Sequence, residues 1–381
     1  MISLLEEKNV QLDNLLDKIA EAIQLDDTRY ERMKSGYESV KDWIESDEVF
    51  FKRYHYDVYP HGSVRILTTV KPIGKDEFDL DIAIHLKSTT SHTPQRIYAE
   101  LKRCIEAYAK KHGLRIEAKN RCIRLDYTGD CHMDILPGIQ EYSFDDNMLK
   151  VPDRELNDWV SSNPRGYANW FLAQANLVKQ SLLEKAMRAE NLPADNFKNK
   201  KPLQRAVQLV KRYRDLYFQE DDTYKTSSII LTTIAGQFYR GQESIFDTVD
   251  GIISSIEDHD TYLYGRLKVV NPVNPVENFT DKWDDEPEYY EAFKAFSQHL
   301  HNQWQMLKNG YGVIQEGKIL KGLFGEGLFS EAQKVITDRV ENLRRNKNLA
   351  ASIGSGILTG VNIPSSRSIK HNTFYGGEYE E

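Results

Sequence analysis

The spacing of apolar residues changes several times along the chain. Leu4, Leu5, Val10, Leu12, Leu15, Leu16, Ile19 and Ile23 recur at helical spacing. A second helix is expected from Thr28 to about Glu45. The period then shortens to two. "RYHYDVYPHGSVRILTTVKPIGKDEFDLDIAIHL" predicts a strand, a turn, a short helix and a second strand. "TPQRIYAELKRCIEAYAKKHG" is an amphipathic helix closed by Gly113, a residue suited to a C-cap. "LRIEAKNRCIRLDYTGDCHMDILPGI" predicts two or three strands, with a hairpin turn at Thr128-Gly129-Asp130 and a stop at Pro137.

After about residue 150 the pattern is helical. Helices are expected in "GYANWFLAQANLVKQSLLEKAMRAE", in "KPLQRAVQLVKRYRDLYFQ" with Pro202 near its start, and in "TSSIILTTIAGQFYR" with Thr226 as N-cap. Others are expected at 242–257, 287–308 and 328–347. The last 30 or so residues are rich in Gly and Ser, lack periodicity and read as a mobile tail. The expected organisation is N-terminal helices bracing both lobes (1–47), a mixed α/β core (48–150), an all-helical domain (151–347) and a flexible tail (348–381).

The second strand, in "GKDEFDLDIAIHL", breaks the pattern. Alternation puts Phe78, Leu80, Ile82, Ile84 and Leu86 on one face and Asp79, Asp81, Ala83 and His85 on the other. The two aspartates then point the same way, with Cα atoms about 6.5–7 Å apart. Like charges held so close are tolerable if a cation lies between them or water reaches them. On the strand alone, an edge strand with a wet polar face explains them equally well.

Two flanking segments change that balance. Upstream, Gly62-Ser63 opens a short helical segment, where a flexible backbone, a hydroxyl and free N–H groups can meet a phosphate. Downstream, "CHMDILPG" places a third acid, Asp134, inside an apolar strand, sharing its face with His132 and Leu136. Gly-Ser, Asp-x-Asp on a strand and a lone Asp on a later strand form the layout a nucleotidyl transferase needs. Three carboxylates of this kind would hold two Mg²⁺ ions against a nucleoside triphosphate and the attacking hydroxyl.

Composition narrows the setting. The formal net charge of −8 argues against a dedicated non-specific nucleic-acid binder, though not against a local basic patch. The three cysteines, Cys104, Cys122 and Cys131, lack CxxC spacing, which fits a reduced, cytoplasmic setting. Cys122 and Cys131 fall on two arms of a hairpin, but neither a disulfide nor a metal role is expected of them. No apolar run reaches the about 18 residues of a membrane helix, and the acidic, amphipathic start does not read as a signal peptide.

The segments "HGSVRILTTVKP", "FDLDIAIHL" and "CHMDILPG" resemble the Pol β-like nucleotidyl transferase superfamily. Within it the chain is similar to the bacterial cGAS/DncV-like nucleotidyltransferases, the SMODS group, over roughly residues 50–310. "NPVNPVENFTDKW", Asn271 to Trp283, strengthens the likeness, because a similar phrase recurs in that group and in oligoadenylate synthetases. The resemblance implies an α+β fold: a Pol β-like core with a C-terminal all-helical, oligoadenylate synthetase-like domain and the site between them.

It also implies residue roles. Asp79 and Asp81 would bind both metals, and Asp134 the metal beside the attacking 3′ or 2′ hydroxyl. Gly62 and Ser63 would hold the β and γ phosphates. Lys211, in "LVKRYRD", and Ser227 or Ser228, in "TSSIILTTIA", would contact them from the second domain. Mn²⁺ would substitute for Mg²⁺. Where many relatives carry Gln before Gly-Ser, this chain has His61.

Plainer readings stand beside these. Lys211 neighbours a core stripe of Leu203, Ala206, Val207, Val210 and Tyr217, and a solvated position there would equally explain it. Capping alone would explain Ser227 and Ser228. Lys198, Lys200, Lys201 and Arg205 read as the solvated start of a helix, and His55 and His61 as structural.

The implied activity is Mg²⁺-dependent, template-independent synthesis of a cyclic di- or trinucleotide from ribonucleoside triphosphates, with release of pyrophosphate, in antiphage defence. The alternatives are a transferase making linear oligonucleotides or modifying an RNA, protein or small-molecule hydroxyl, and a degenerate fold that only binds. An activator, or C-terminal ligation machinery acting near Gly376-Gly377, is expected as a partner. No membrane partner is.

Overall fold

The computed structural model describes residues 4–74, 77–87, 92–127, 131–178, 197–262, 266–310, 312–352, 358–360 and 366–369. Two helices lead: α1 (Leu4–Ala22) and α2 (Asp27–Glu45). Asp26 caps α2 by accepting from the Arg29 amide at 2.9 Å. Then come β1 (Tyr56–His61), a single helical turn α3 (Gly62–Arg65), β2 (Phe78–Leu86) and α4 (Pro94–His112). Thr93 and Pro94 start α4, and Gly113 ends it with φ of 68°. The remaining strands of this lobe are β3 (Arg115–Ala118), β4 (Ile123–Tyr127), β5 (Cys131–Tyr142), β6 (Asp145–Asp153) and β7 (Asp158–Ser162).

These seven strands form one sheet, ordered β1-β2-β5-β4-β3, with β6 paired to the far half of β5 and β7 to β6. β2 and β5 run parallel and every other pair is antiparallel. The apolar face of β2, from Phe78 to Leu86, packs into a core with Met33, Tyr37, Val40 and Ile44 of α2 and Ile97, Leu101 and Ile105 of α4. Trp43 Nε1 donates to the Cys104 carbonyl at 3.0 Å, which ties α2 to α4. One face of the sheet is thus sealed, and the polar face is free to build a site.

The second lobe is helical: α5 (Pro164–Ala175), α6 (Pro202–Tyr217), α7 (Ser228–Phe238) and α8 (Ile245–Tyr262) come first. A two-stranded ribbon of β8 (Val270–Asn271) and β9 (Asn274–Asn278) follows. After it come α9 (Lys282–Asp285), α10 (Glu288–Asn309), α11 (Val313–Phe324) and α12 (Glu326–Arg345). Its core includes Leu203, Val207, Phe246, Phe293, Phe296 and Trp304. It also takes Leu12, Leu16, Ile19 and Ala20 of α1, and Ile23 just after it. The two N-terminal helices therefore divide their apolar faces between the two lobes.

The joint between lobes is Ser162-Asn163. Glu277 of β9 accepts from Ser162 Oγ at 2.8 Å, the Asn163 amide at 3.1 Å and Asn271 Nδ2 at 2.6 Å. Asn163 caps α5 by accepting from the Gly166 amide at 2.8 Å. The Asn271–Trp283 phrase thus includes the brace that holds this joint.

Several expectations change. Pro137 does not end β5, which continues to Tyr142. β4 pairs with β5 only up to Ile135, and β6 pairs with it from Ile139. Pro137 falls in the gap, where its missing N–H costs no ladder bond on that edge. Thr226 is not the N-cap of α7; Ser227 holds that position, and the Thr226 side chain is buried. Cys131 stands opposite Tyr127 rather than Cys122, and no disulfide joins any of the three cysteines. The sheet extends past residue 150 through β6 and β7. The segment expected to be a tail contributes three short strands, β10 (Leu349–Ser352), β11 (Leu358–Gly360) and β12 (Ser366–Ser368), in a small antiparallel sheet ordered β11-β10-β12. The turn at 128–130, the expected helix beyond 178 and Gly376-Gly377 lie outside the described residues.

Candidate active site

Strand register assembles the polar face in rows. In one row, His61 of β1 lies opposite Asp81 of β2, Asp81 beside Asp134 of β5, and Asp134 opposite Arg124 of β4. In the next row, Asp79 lies beside His132, and His132 opposite Asp126. The parallel β2–β5 pairing therefore brings Asp79, Asp81 and Asp134 together, as their sequence pattern suggests.

The first turn of α3 approaches this row closely. Gly62 has φ of +60°, and a Cβ there would lie 1.9 Å from Asp81 Oδ2. Only glycine fits both the conformation and the space. Ser63 follows, its hydroxyl 3.2 Å from that of Thr69.

The opposite wall comes from α6. Gln204 Nε2 donates to the Ile66 carbonyl at 3.0 Å, Gln208 Nε2 to Thr69 at 2.6 Å, and Arg212 to Lys71. Lys211 Nζ donates to the Thr68 carbonyl at 3.2 Å and its hydroxyl at 3.0 Å. This polar row stitches the loop after α3 to the helical lobe. Lys211 is only 5% exposed, which excludes the solvated reading. Near the start of α7, Arg214 pairs with Asp215 and donates to Ser228 Oγ, and Lys225 contacts Asp215 at 3.0 Å.

Between these walls lies a cleft of about 870 Å³. Gly62, Ser63, Asp79, Asp81, Asp134, Lys211 and Ser228 all line it, as does His61. Ser227 is exposed and is not among the lining residues. His55 is exposed and also lies outside the cleft. The basic run at the start of α6 is not a solvated face: Lys200 is buried, and Arg205 pairs with Asp17 of α1.

Electrostatics mark the cleft as a place for cations and phosphates. Burial, then the charges of Asp134 and Asp79, push Asp81 up to about 7. Asp79, although its side chain is exposed, is also raised by desolvation in the cleft. Burial pushes Lys211 down to about 7, with Arg214 adding to the effect. His61 is pushed down to about 4 by burial and is a neutral imidazole at pH 7. Carboxylates in this state favour a divalent cation, and an all-oxygen donor set suits Mg²⁺ or Mn²⁺. A second acidic group, Glu77, Asp126 and His132, brings its potential ligand atoms within 4.8 Å of one another beside the triad.

Arg124 was missed in the sequence. It donates to both oxygens of Asp134 and to Asp79. Its alternation with Ile123 and Leu125 would have placed it on a polar face, but its partner is set by the β4–β5 register.

The fold is that of a nucleotidyl transferase with a Pol β-like core, and comparison with known proteins agrees. Residues 10–176 match the Second Messenger Oligonucleotide or Dinucleotide Synthetase domain. A c-di-GMP synthase of Roseivirga ehrenbergii is 40% identical over 372 residues, covering 96% of this chain and 97% of that protein. The fold is similar to the CD-NTase CdnG of Bradyrhizobium diazoefficiens in complex with GTP: TM-score 0.68, 22% identity, 86% of this chain and 99% of that one. It is also similar to CdnC of E. coli MS115-1 with ATP, with TM-score 0.59, 12% identity and coverage of 82% and 98%. The chain belongs to the cGAS/DncV-like nucleotidyltransferases, the CD-NTases.

Among the described residues no helix is long and apolar enough to cross a membrane.

Proposed function

We propose that this enzyme joins ribonucleoside triphosphates into a cyclic dinucleotide, with GTP as its main substrate, and releases pyrophosphate. The observation that carries the reading is the near full-length similarity to a c-di-GMP synthase, combined with convergence of Asp79, Asp81 and Asp134 on one face of the cleft. Cytoplasmic action in bacterial antiphage defence is part of this reading, and the same family membership supports it.

Each side chain has a task consistent with its place. The Gly62 backbone and Ser63 hydroxyl hold the β and γ phosphates where no side chain intervenes. Lys211 meets the phosphates from the other wall; a triphosphate beside it raises its proton affinity and keeps it charged. Ser228, held by Arg214, offers a hydroxyl at the same end of the cleft. Ser227, exposed and outside the cleft lining, is left out of this role. Asp134 orients the attacking 3′ or 2′ hydroxyl and accepts its proton. Asp79 and Asp81, with Asp134, would hold two Mg²⁺ ions, which supply charge neutralisation at the transferring phosphate when bound. Such transfer depends mainly on positioning and charge, and the two walls supply both.

The test is product analysis. GTP alone with Mg²⁺ or Mn²⁺ is expected to give a phosphatase-resistant product with the mass of a cyclic diguanylate. A product that requires another base changes the substrate assignment, and a linear product overturns the cyclase reading.

A further inference from the structure

Arg124 of β4 faces Asp134 across the β4–β5 ladder. Its Nε donates to Asp134 Oδ1 at 2.8 Å, and a terminal nitrogen donates to Asp134 Oδ2 at 2.7 Å. That same nitrogen reaches Asp79 Oδ1 at 3.1 Å. The planar fork thus engages both oxygens of Asp134 and one of Asp79, carboxylates on two neighbouring strands. A divalent cation shared by Asp79 and Asp134 would call on the same oxygens. The terminal nitrogen fills the space between Asp79 Oδ1 and Asp134 Oδ2, so a cation bridging those same two oxygens would have to displace it.

We infer that Arg124 competes with divalent metal for Asp79 and Asp134, so that metal binding requires its guanidinium to withdraw from the bridge. The inference rests on the metal reading proposed above. Withdrawal leaves no charge stranded: the Arg124 side chain is 23% exposed, and its head can swing toward water while the stem stays on the sheet. The bridge gives Arg124 a positioning role. It holds the two carboxylates near each other against their repulsion while no divalent cation is bound. The guanidinium acts on the carboxylates and is not required to touch the nucleotide.

The experiment is calorimetric titration of Mn²⁺ into the full-length wild type, Arg124→Ala, Arg124→Lys and, as a site control, Asp79→Asn. Lysine keeps the positive charge but is a point donor that cannot reproduce the fork. Competition predicts that Arg124→Ala binds Mn²⁺ about tenfold tighter than wild type. It also predicts that Arg124→Lys is tighter than wild type, and that Mn²⁺ raises the melting temperature of Arg124→Ala more than that of wild type. Unchanged or weaker Mn²⁺ binding in Arg124→Ala overturns the inference. So does tighter binding in the alanine variant with wild-type affinity in the lysine variant, which would make charge alone the cause. Wild-type Mn²⁺ binding that survives intact in Asp79→Asn overturns the metal reading, and this inference with it.

Discussion

Gly62 has no room for a side chain. Its Cβ would lie 1.9 Å from an oxygen of Asp81, at φ of +60°. Gly62→Ala is therefore expected to lower turnover at least about a hundredfold, while the conformational strain itself costs only about 1 kcal/mol of stability. Steady-state rates and a denaturant melt measure both, and near-wild-type turnover would contradict the close approach.

Asp81 sets the pH response. Its folded pKa is raised to about 7 by burial and by its acidic neighbours, so the stability it lends is full below the ordinary carboxylate value and is lost as pH rises through about 7. Above that, the buried charge calls for a cation. Lys211, pushed down to about 7 mainly by burial, contributes to folding with the opposite sign, gaining stability as pH rises above that value, but its loss of positive charge there adds to the demand for a divalent cation. The rise in melting temperature on adding Mg²⁺ is thus expected to be larger at pH 8 than at pH 6, and to lose that dependence in Asp81→Asn. Equal shifts at both pH values would refute this.

At this scale the three aspartates and Gly62-Ser63 were legible because a charge inside an alternating apolar strand stands out locally. Arg124 was not, since its partners come from strand register rather than from its neighbours in sequence.

At the scale of elements, α6 carries the link between phosphate loop and helical lobe. Gln204, Gln208 and Lys211 project from one helix onto the loop after α3. Gln208 is fully buried, and its amide donates to the Thr69 carbonyl at 2.6 Å. Gln208→Ala would leave that carbonyl without its partner and is expected to cost about 1–3 kcal/mol. It is also expected to raise KM for the triphosphate several-fold by loosening the loop whose Thr69 hydroxyl meets Ser63. Chemical denaturation and steady-state kinetics test the pair of effects; a stable variant with unchanged KM would remove the loop from the account.

The helical period of α6 was plain in the sequence, but its polar stripe reads equally as a solvated face until the partner loop is known. Strand β6 was hidden by its cluster of acids and Pro152, and α11 by Gly317 and Gly322, which weaken helix propensity. The short strands β10 to β12 pair with one another, a pairing no local pattern announces.

On the scale of the whole molecule, the sheet supplies acids, the helical lobe supplies cations, and the cleft between them is large enough for nucleotides. Helix α1 joins the helical core and α2 the sheet core, so the N-terminal segment spans both walls. The order of elements forecast two lobes, but the division of two consecutive helices between two cores depends on which apolar faces find each other, and that is a property of the assembled fold.

The central claim is that Asp79, Asp81 and Asp134 drive a cyclising transfer in this cleft. The most direct test incubates the purified enzyme with all four ribonucleoside triphosphates and Mg²⁺ or Mn²⁺, beside the Asp79→Ala, Asp81→Ala double variant. Phosphatase-treated products are then analysed by mass spectrometry. The account predicts a phosphatase-resistant cyclic dinucleotide containing guanine from the wild type and none from the double variant. A linear product, or the same cyclic product from both proteins, would contradict it.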